Sequence, residues 1–144
     1  MPPPYVTSLD SYLDWIEALL DASGGNLVGA HLVFEYLQGG RDRSDGLLIR
    51  QHRLEFYDRT YLDFSFFVSD HLTCENYSFH YQGRLETPLW RKDMHDADHH
   101  GLGQVTHIHD SEEVAYLYPE VDLSEALYEI YAYQDTGRLP NFGA

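Results

Sequence analysis

From Leu27 to Met94 the chain is a succession of short runs rich in β-branched and aromatic residues, separated by polar turns. Links that short join antiparallel neighbours, because a parallel crossover needs a dozen residues or more. The runs fall at residues 27–37, 47–57, 61–68, 75–82 and 89–94, which predicts an antiparallel meander of about five strands. Residues 38–46 (QGGRDRSDG) form a polar turn, and Asp58-Arg59 reads as a two-residue hairpin connection without the favoured glycine. In the fourth run Tyr77, Phe79 and Tyr81 fall on one face and Ser78 and His80 on the other.

A helix flanks the meander on each side. Leu9, Tyr12, Leu13, Ile16, Leu19 and Leu20 recur at three- and four-residue steps, which predicts a helix over 8–21. Thr7 and Asp10 match a capping box at its start, and Ser23-Gly24-Gly25 ends it. Asp122 and Glu125 open a second helix, over 123–134, with Leu123, Ala126, Leu127, Ile130 and Tyr131 as its apolar stripe and Gly137 beyond its end. Residues 114–118 (VAYLY) are an apolar run of no definite type. The pattern is α+β, with both helices packed on an antiparallel sheet. It reads as a single domain over 1–144, with a flexible proline-rich arm at 1–7. That length suffices to bury a core without staples.

Charge narrows the partners. The formal charge is −15, with 24 acidic residues and Lys92 as the only lysine. Abundant Asp with almost no Lys resembles haloarchaeal adaptation, in which molar salt screens self-repulsion. Such a surface repels nucleic acid at long range, yet a local basic site can still bind RNA. Cys74 stands alone, which excludes an internal disulfide and suits a small buried residue. The N-terminus lacks the basic and apolar regions of a signal peptide, and no apolar run approaches the roughly 18 residues of a membrane span. A cytoplasmic protein is expected.

The chemistry concentrates at residues 90–110, WRKDMHDADHHGLGQVTHIHD. Five of the nine histidines, His95, His99, His100, His107 and His109, fall there, among Arg91, Lys92, Asp93, Asp96, Asp98 and Asp110. Imidazole titrates near neutrality, so such a cluster suits proton transfer or metal ligation. In a regular strand Arg91, Asp93 and His95 share one face and Trp90, Lys92 and Met94 the other, while His107 and His109 project together. The same residues admit a metal site: His95 and His99 from one helical face, His107 and His109 from an extended segment, and Asp93 to complete the shell for one divalent transition metal. A third reading is a binding module that acts through a protein partner. Tyr77 and Tyr81 could stack bases as a single-strand platform does, and His80 is a further candidate for substrate binding.

The elements YSFHYQ, WRKD, DxHH and TxxHxH, in that order, resemble the TumE family of toxins from toxin–antitoxin loci. The matching residues are Tyr77, His80, Tyr81, Gln82, Arg91, Asp93, His99, His100, Thr106, His107 and His109. The family's HH pair is usually followed by proline, where this chain has Gly101, and its second cluster usually carries a lysine that is absent here. The resemblance implies a growth-inhibiting toxin, a helix-turn-helix antitoxin as its partner, and RNA cleavage as its mode of action. Without a cofactor, such cleavage needs a base, an acid and a cation for the phosphorane charge. His99, His100, His107 and His109 supply candidates for the first two, Arg91 for the third, and Asp93 or Asp98 could fix a tautomer. A homodimer is a further possibility.

Overall fold

The computed structural model describes residues 2–23, 27–41, 44–94 and 106–140. Its strands are β1 (Leu27–Gly29), β2 (Val33–Leu37), β3 (Gly46–Phe56), β4 (Tyr61–Ser69), β5 (Cys74–Gln82), β6 (Pro88–Met94), β7 (Thr106–His109) and β8 (Ala115–Leu117). Helix α1 (Leu9–Ala22) precedes them and α2 (Leu123–Thr136) follows. All eight strands form one antiparallel sheet in which β1 and β2 both pair with β3, and β4 to β8 follow in chain order. The α+β meander stands, and the count of five strands is corrected to eight. The run at 27–37 divides into β1 and β2, and two short strands, β7 and β8, extend the far edge.

Three hairpins share one device. Arg59, Leu72 and Glu113 adopt φ of 70°, 62° and 64°, each as the last residue of a three-residue loop. The closing bonds are Phe56 N–H to the Thr60 carbonyl, Ser69 N–H to that of Thr73, and Asp110 N–H to that of Val114, at 2.9, 2.9 and 3.0 Å. This is a turn followed by a left-handed residue, the geometry that usually takes glycine. The Asp58-Arg59 connection is thus one residue longer than expected, with Tyr57 inside the loop.

Both helices cover one face. Ser8, rather than Thr7, caps α1: its Oγ accepts from Ser11 N–H at 3.1 Å, and Ser11 Oγ accepts from Ser8 N–H at 2.9 Å. The capping box therefore sits one residue later than the sequence suggested. The helix buries Tyr12, Leu13, Trp15, Ile16 and Leu20. Asp122 caps α2 by accepting from Glu125 N–H at 3.0 Å, and Gly137 at φ 70° ends it. Leu123, Ala126, Leu127 and Ile130 face the sheet. There the helices meet Leu47, Ile49, Leu62, Phe64, Phe66, Tyr77, Phe79, Tyr81, Trp90 and Ile108 in one core. Period-2 alternation sends the intervening residues of β3 to β8 to the opposite face, which neither helix covers. Among the described residues, no helix is long and apolar enough to cross a membrane.

Candidate functional site

Cross-strand register assembles the site on the face without helices. Arg91 pairs with His109 and Asp93 with His107, as β6 runs against β7. Alternation had grouped Arg91 with Asp93 and His107 with His109, and pairing sets the two groups side by side. Directly paired side chains lie about 4.5–5.5 Å apart at Cβ, so four functional groups meet without any loop.

Arg91 organises the cluster. Its Nε donates to Asp93 Oδ2 at 2.7 Å, and its Nη2 lies 3.0 Å from His109 Nε2. A guanidinium only donates, so His109 Nε2 must carry the lone pair and its proton must sit on Nδ1. That Nδ1 is 3.5 Å from the Glu113 carbonyl, which accepts. His109 is thereby held neutral, with its basic nitrogen turned inward. His107 Nε2 lies 3.6 Å and His109 Nε2 3.4 Å from the same Asp93 oxygen. The imidazole rings meet edge to face, 4.7 Å between centres. Asp93, His107 and His109 are all buried, whereas the Arg91 side chain is 34% exposed. Glu113 adds a looser carboxylate, 3.6 Å from Arg91 Nη1. Its place follows from the turn four residues past His109, a position that strand alternation does not reach.

The other candidates divide. His80 is on the open face, across from Arg91. Partial burial and then the Arg91 charge lower its pKa, so it is neutral near pH 7. Tyr77 and Tyr81 are on the helix side, packed in the core with the buried residues of α1 and α2 and away from the open face. The Tyr77 hydroxyl accepts from Val121 N–H and the Tyr81 hydroxyl donates to Thr60, so both tyrosines are core. Both rings thus lie on the face of the sheet opposite Arg91 and Asp93. His95, His99 and His100 lie outside the described residues, as does any part they play. Cys74 has its thiol pKa pushed up to about 12 by burial first, so it is no nucleophile at neutral pH.

Two chemistries fit the four groups. One ligand atom each from Asp93, His107 and His109 lie within 4.8 Å of one another, the donor set of a two-histidine, one-carboxylate metal site. Yet Arg91 already occupies Asp93 Oδ2 and the lone pair of His109 Nε2. A metal would have to displace that cation. Without one, the set holds a neutral imidazole, a second imidazole beside a carboxylate, and a fixed positive charge.

Beside the cluster runs a groove of about 540 Å³ on the same face, with Arg50, His52, Asp63, Ser65, Ser78 and His80 among its lining residues. His52 Nδ1 meets Asp63 Oδ1 at 2.9 Å. The bulge that sets His52 and Arg53 there has Arg53 at φ 58°, with its N–H donating to Asp63 Oδ1 at 2.6 Å.

A family model described as "Toxin TumE" matches residues 32–138. Comparisons with curated proteins and with solved structures give no match.

Proposed function

The chain belongs to the TumE toxin family, whose members are toxins of toxin–antitoxin modules, and from that premise we propose that it inhibits growth by cleaving RNA at the Arg91–Asp93–His107–His109 cluster. The observation that carries this reading is the contact of Arg91 with both Asp93 and His109, which supports taking His109 as the base and the neighbouring His107 as the acid. An incoming phosphate competes for the guanidinium. When Nη2 turns to it, His109 Nε2 is released to accept the 2′-OH proton. The 2′-oxygen then bonds to phosphorus, the bond from phosphorus to the 5′-oxygen breaks, and His107 gives that oxygen its proton. A 2′,3′-cyclic phosphate and a free 5′-OH result. Asp93 favours the imidazolium form of His107, and Arg91 offsets the charge that grows on phosphorus.

The family also implies an antitoxin partner, and the reading takes it to be a helix-turn-helix protein. Expression of this chain alone in a suitable host should slow growth and shorten cellular RNA. Co-expression with its antitoxin, or the change His107→Ala, should relieve both effects. Growth arrest with intact RNA would reject cleavage as the mode of action.

The convergence of Asp93, His107 and His109 supports a second reading, a metal-dependent nuclease at the same residues. It requires Arg91 to leave the cluster, and it predicts activity that chelation abolishes.

A further inference from the structure

Register ties the groove to the cluster. One row of paired residues crosses the open face from Val33 through Arg50, Ser65, Ser78 and Asp93 to His107. A second runs from Asp63 through His80 and Arg91 to His109. Groove and cluster are therefore two ends of the same two rows. With strands about 4.8 Å apart, Arg50 stands roughly 14 Å from Asp93, room for a short run of nucleotides.

Three groups in the first row lack protein partners. Among the described residues, none bonds the Arg50 guanidinium or the hydroxyls of Ser65 and Ser78, and both serines are half-buried. Cations and acids both stand on this face, with Asp63 against His52 and Asp93 against Arg91. Arg50, Arg53 and Arg91 are the arginines within strands, and Arg50 and Arg91 register with open-face residues while Arg53 lies over the open-face ring of Tyr61. In a chain of net charge −15, an Arg50 with no carboxylate on it among the described residues suits an anionic occupant. The two small serines keep the floor low between two cationic ends, and their hydroxyls can donate or accept.

We propose that a single strand of RNA lies across the strands in this groove, with Arg50 on a phosphate away from the cleaved bond and Ser65 and Ser78 on the intervening nucleotide. This rests on the ribonuclease reading and adds the path of the substrate to it. A single strand fits because its unstacked bases can lie against a sheet, which a duplex does not offer. An acidic peptide could also meet Arg50 and the two serines, and relative affinity decides between the two occupants.

The test separates binding from cleavage. A fluorescent single-stranded oligonucleotide with 2′-O-methyl riboses, which the proposed chemistry cannot cut, is titrated onto the full chain at several salt concentrations. Arg50→Ala should weaken binding about tenfold, the effect of one charged hydrogen bond. It should also flatten the dependence of log Kd on log salt by about 0.7, the share of one phosphate on a single strand. Ser78→Tyr, which fills the groove without changing charge, should weaken binding at least as much. Arg138→Ala, past the end of α2, removes the same charge elsewhere and should leave Kd unchanged. If the oligonucleotide binds with this pattern while unmodified RNA stays intact, the groove stands and the ribonuclease reading falls. If RNA is cut but Arg50→Ala and Ser78→Tyr bind as the parent does, the groove proposal is overturned and the ribonuclease reading survives. Tighter binding of an acidic peptide than of the oligonucleotide also overturns it.

Discussion

On the helix side of β6, Lys92 is fully buried and has a closed set of partners: the Glu129 carboxylate, the Tyr118 hydroxyl at 3.3 Å, and the Trp90 and Tyr118 rings at 4.7 and 4.5 Å. One residue on, across the sheet, Asp93 is nearly as deeply buried, but Arg91 donates to its Oδ2 while the Nε2 atoms of His107 and His109 lie 3.6 and 3.4 Å from the same oxygen. The first arrangement matches one cation to one anion and pins α2 and the β8 end to the sheet. The second crowds three nitrogen-bearing groups onto one carboxylate oxygen, which a fold gains little by doing. Burial lowers the Lys92 pKa against the opposing pull of Glu129, so the helix-side pair is also a desolvated one. Burial of charge alone therefore does not mark the site. What marks it is several titratable groups gathered around one carboxylate, beside a groove.

The comparison breaks first if the open face proves structural. His107→Ala and His109→Ala should each lower the rate of RNA cleavage by ~10²–10⁴, the range for a lost proton carrier. Both rings are buried, so the unfolding midpoints should fall as well, and the rates are to be compared well below them. A rate that follows stability instead would make these residues scaffold. Arg91→Ala should cost less, ~10²–10³, as does removal of one donor to a developing oxyanion, and kcat should fall more than KM rises.

Much of this site was legible from alternation alone. Strand period grouped Arg91 with Asp93 and His107 with His109, and the second helix was placed by Asp122 and Gly137. The contact between the two pairs was not legible, because β7 has four residues and its pairing with β6 is a long-range choice across residues 95–105. Periodicity also grouped Tyr77 with Tyr81 without saying which face the helices cover. The α1 cap slipped by one because Ser8 and Ser11 cap each other as well as Thr7 and Asp10 could have. Burial of Lys92 had no local signal, since Glu129 lies 37 residues away.

The helix side answers to stability. Lys92→Ala should lower unfolding free energy by about 2–4 kcal/mol in urea, at the low end of broken buried pairs because Glu129 keeps access to water. Its cleavage rate, measured well below the unfolding midpoint, should fall less than that of any open-face variant. Smallest of all, Arg59→Gly should raise stability by about 1 kcal/mol, since an exposed residue at φ 70° gives way to one without a Cβ penalty. An unchanged midpoint would mean that Arg59 compensates through contacts of its own.

The central claim is that the open-face cluster is an acid–base site in which Arg91 supplies the positive charge. Its most direct test is the pH dependence of RNA cleavage by the purified chain in EDTA. The account predicts undiminished activity and a bell-shaped profile: the rate rises with pH as the base, His109, loses its proton, and falls as the acid, His107, loses its own. Activity that vanishes in EDTA and returns with one transition metal would contradict it, and would assign Asp93, His107 and His109 to a metal instead.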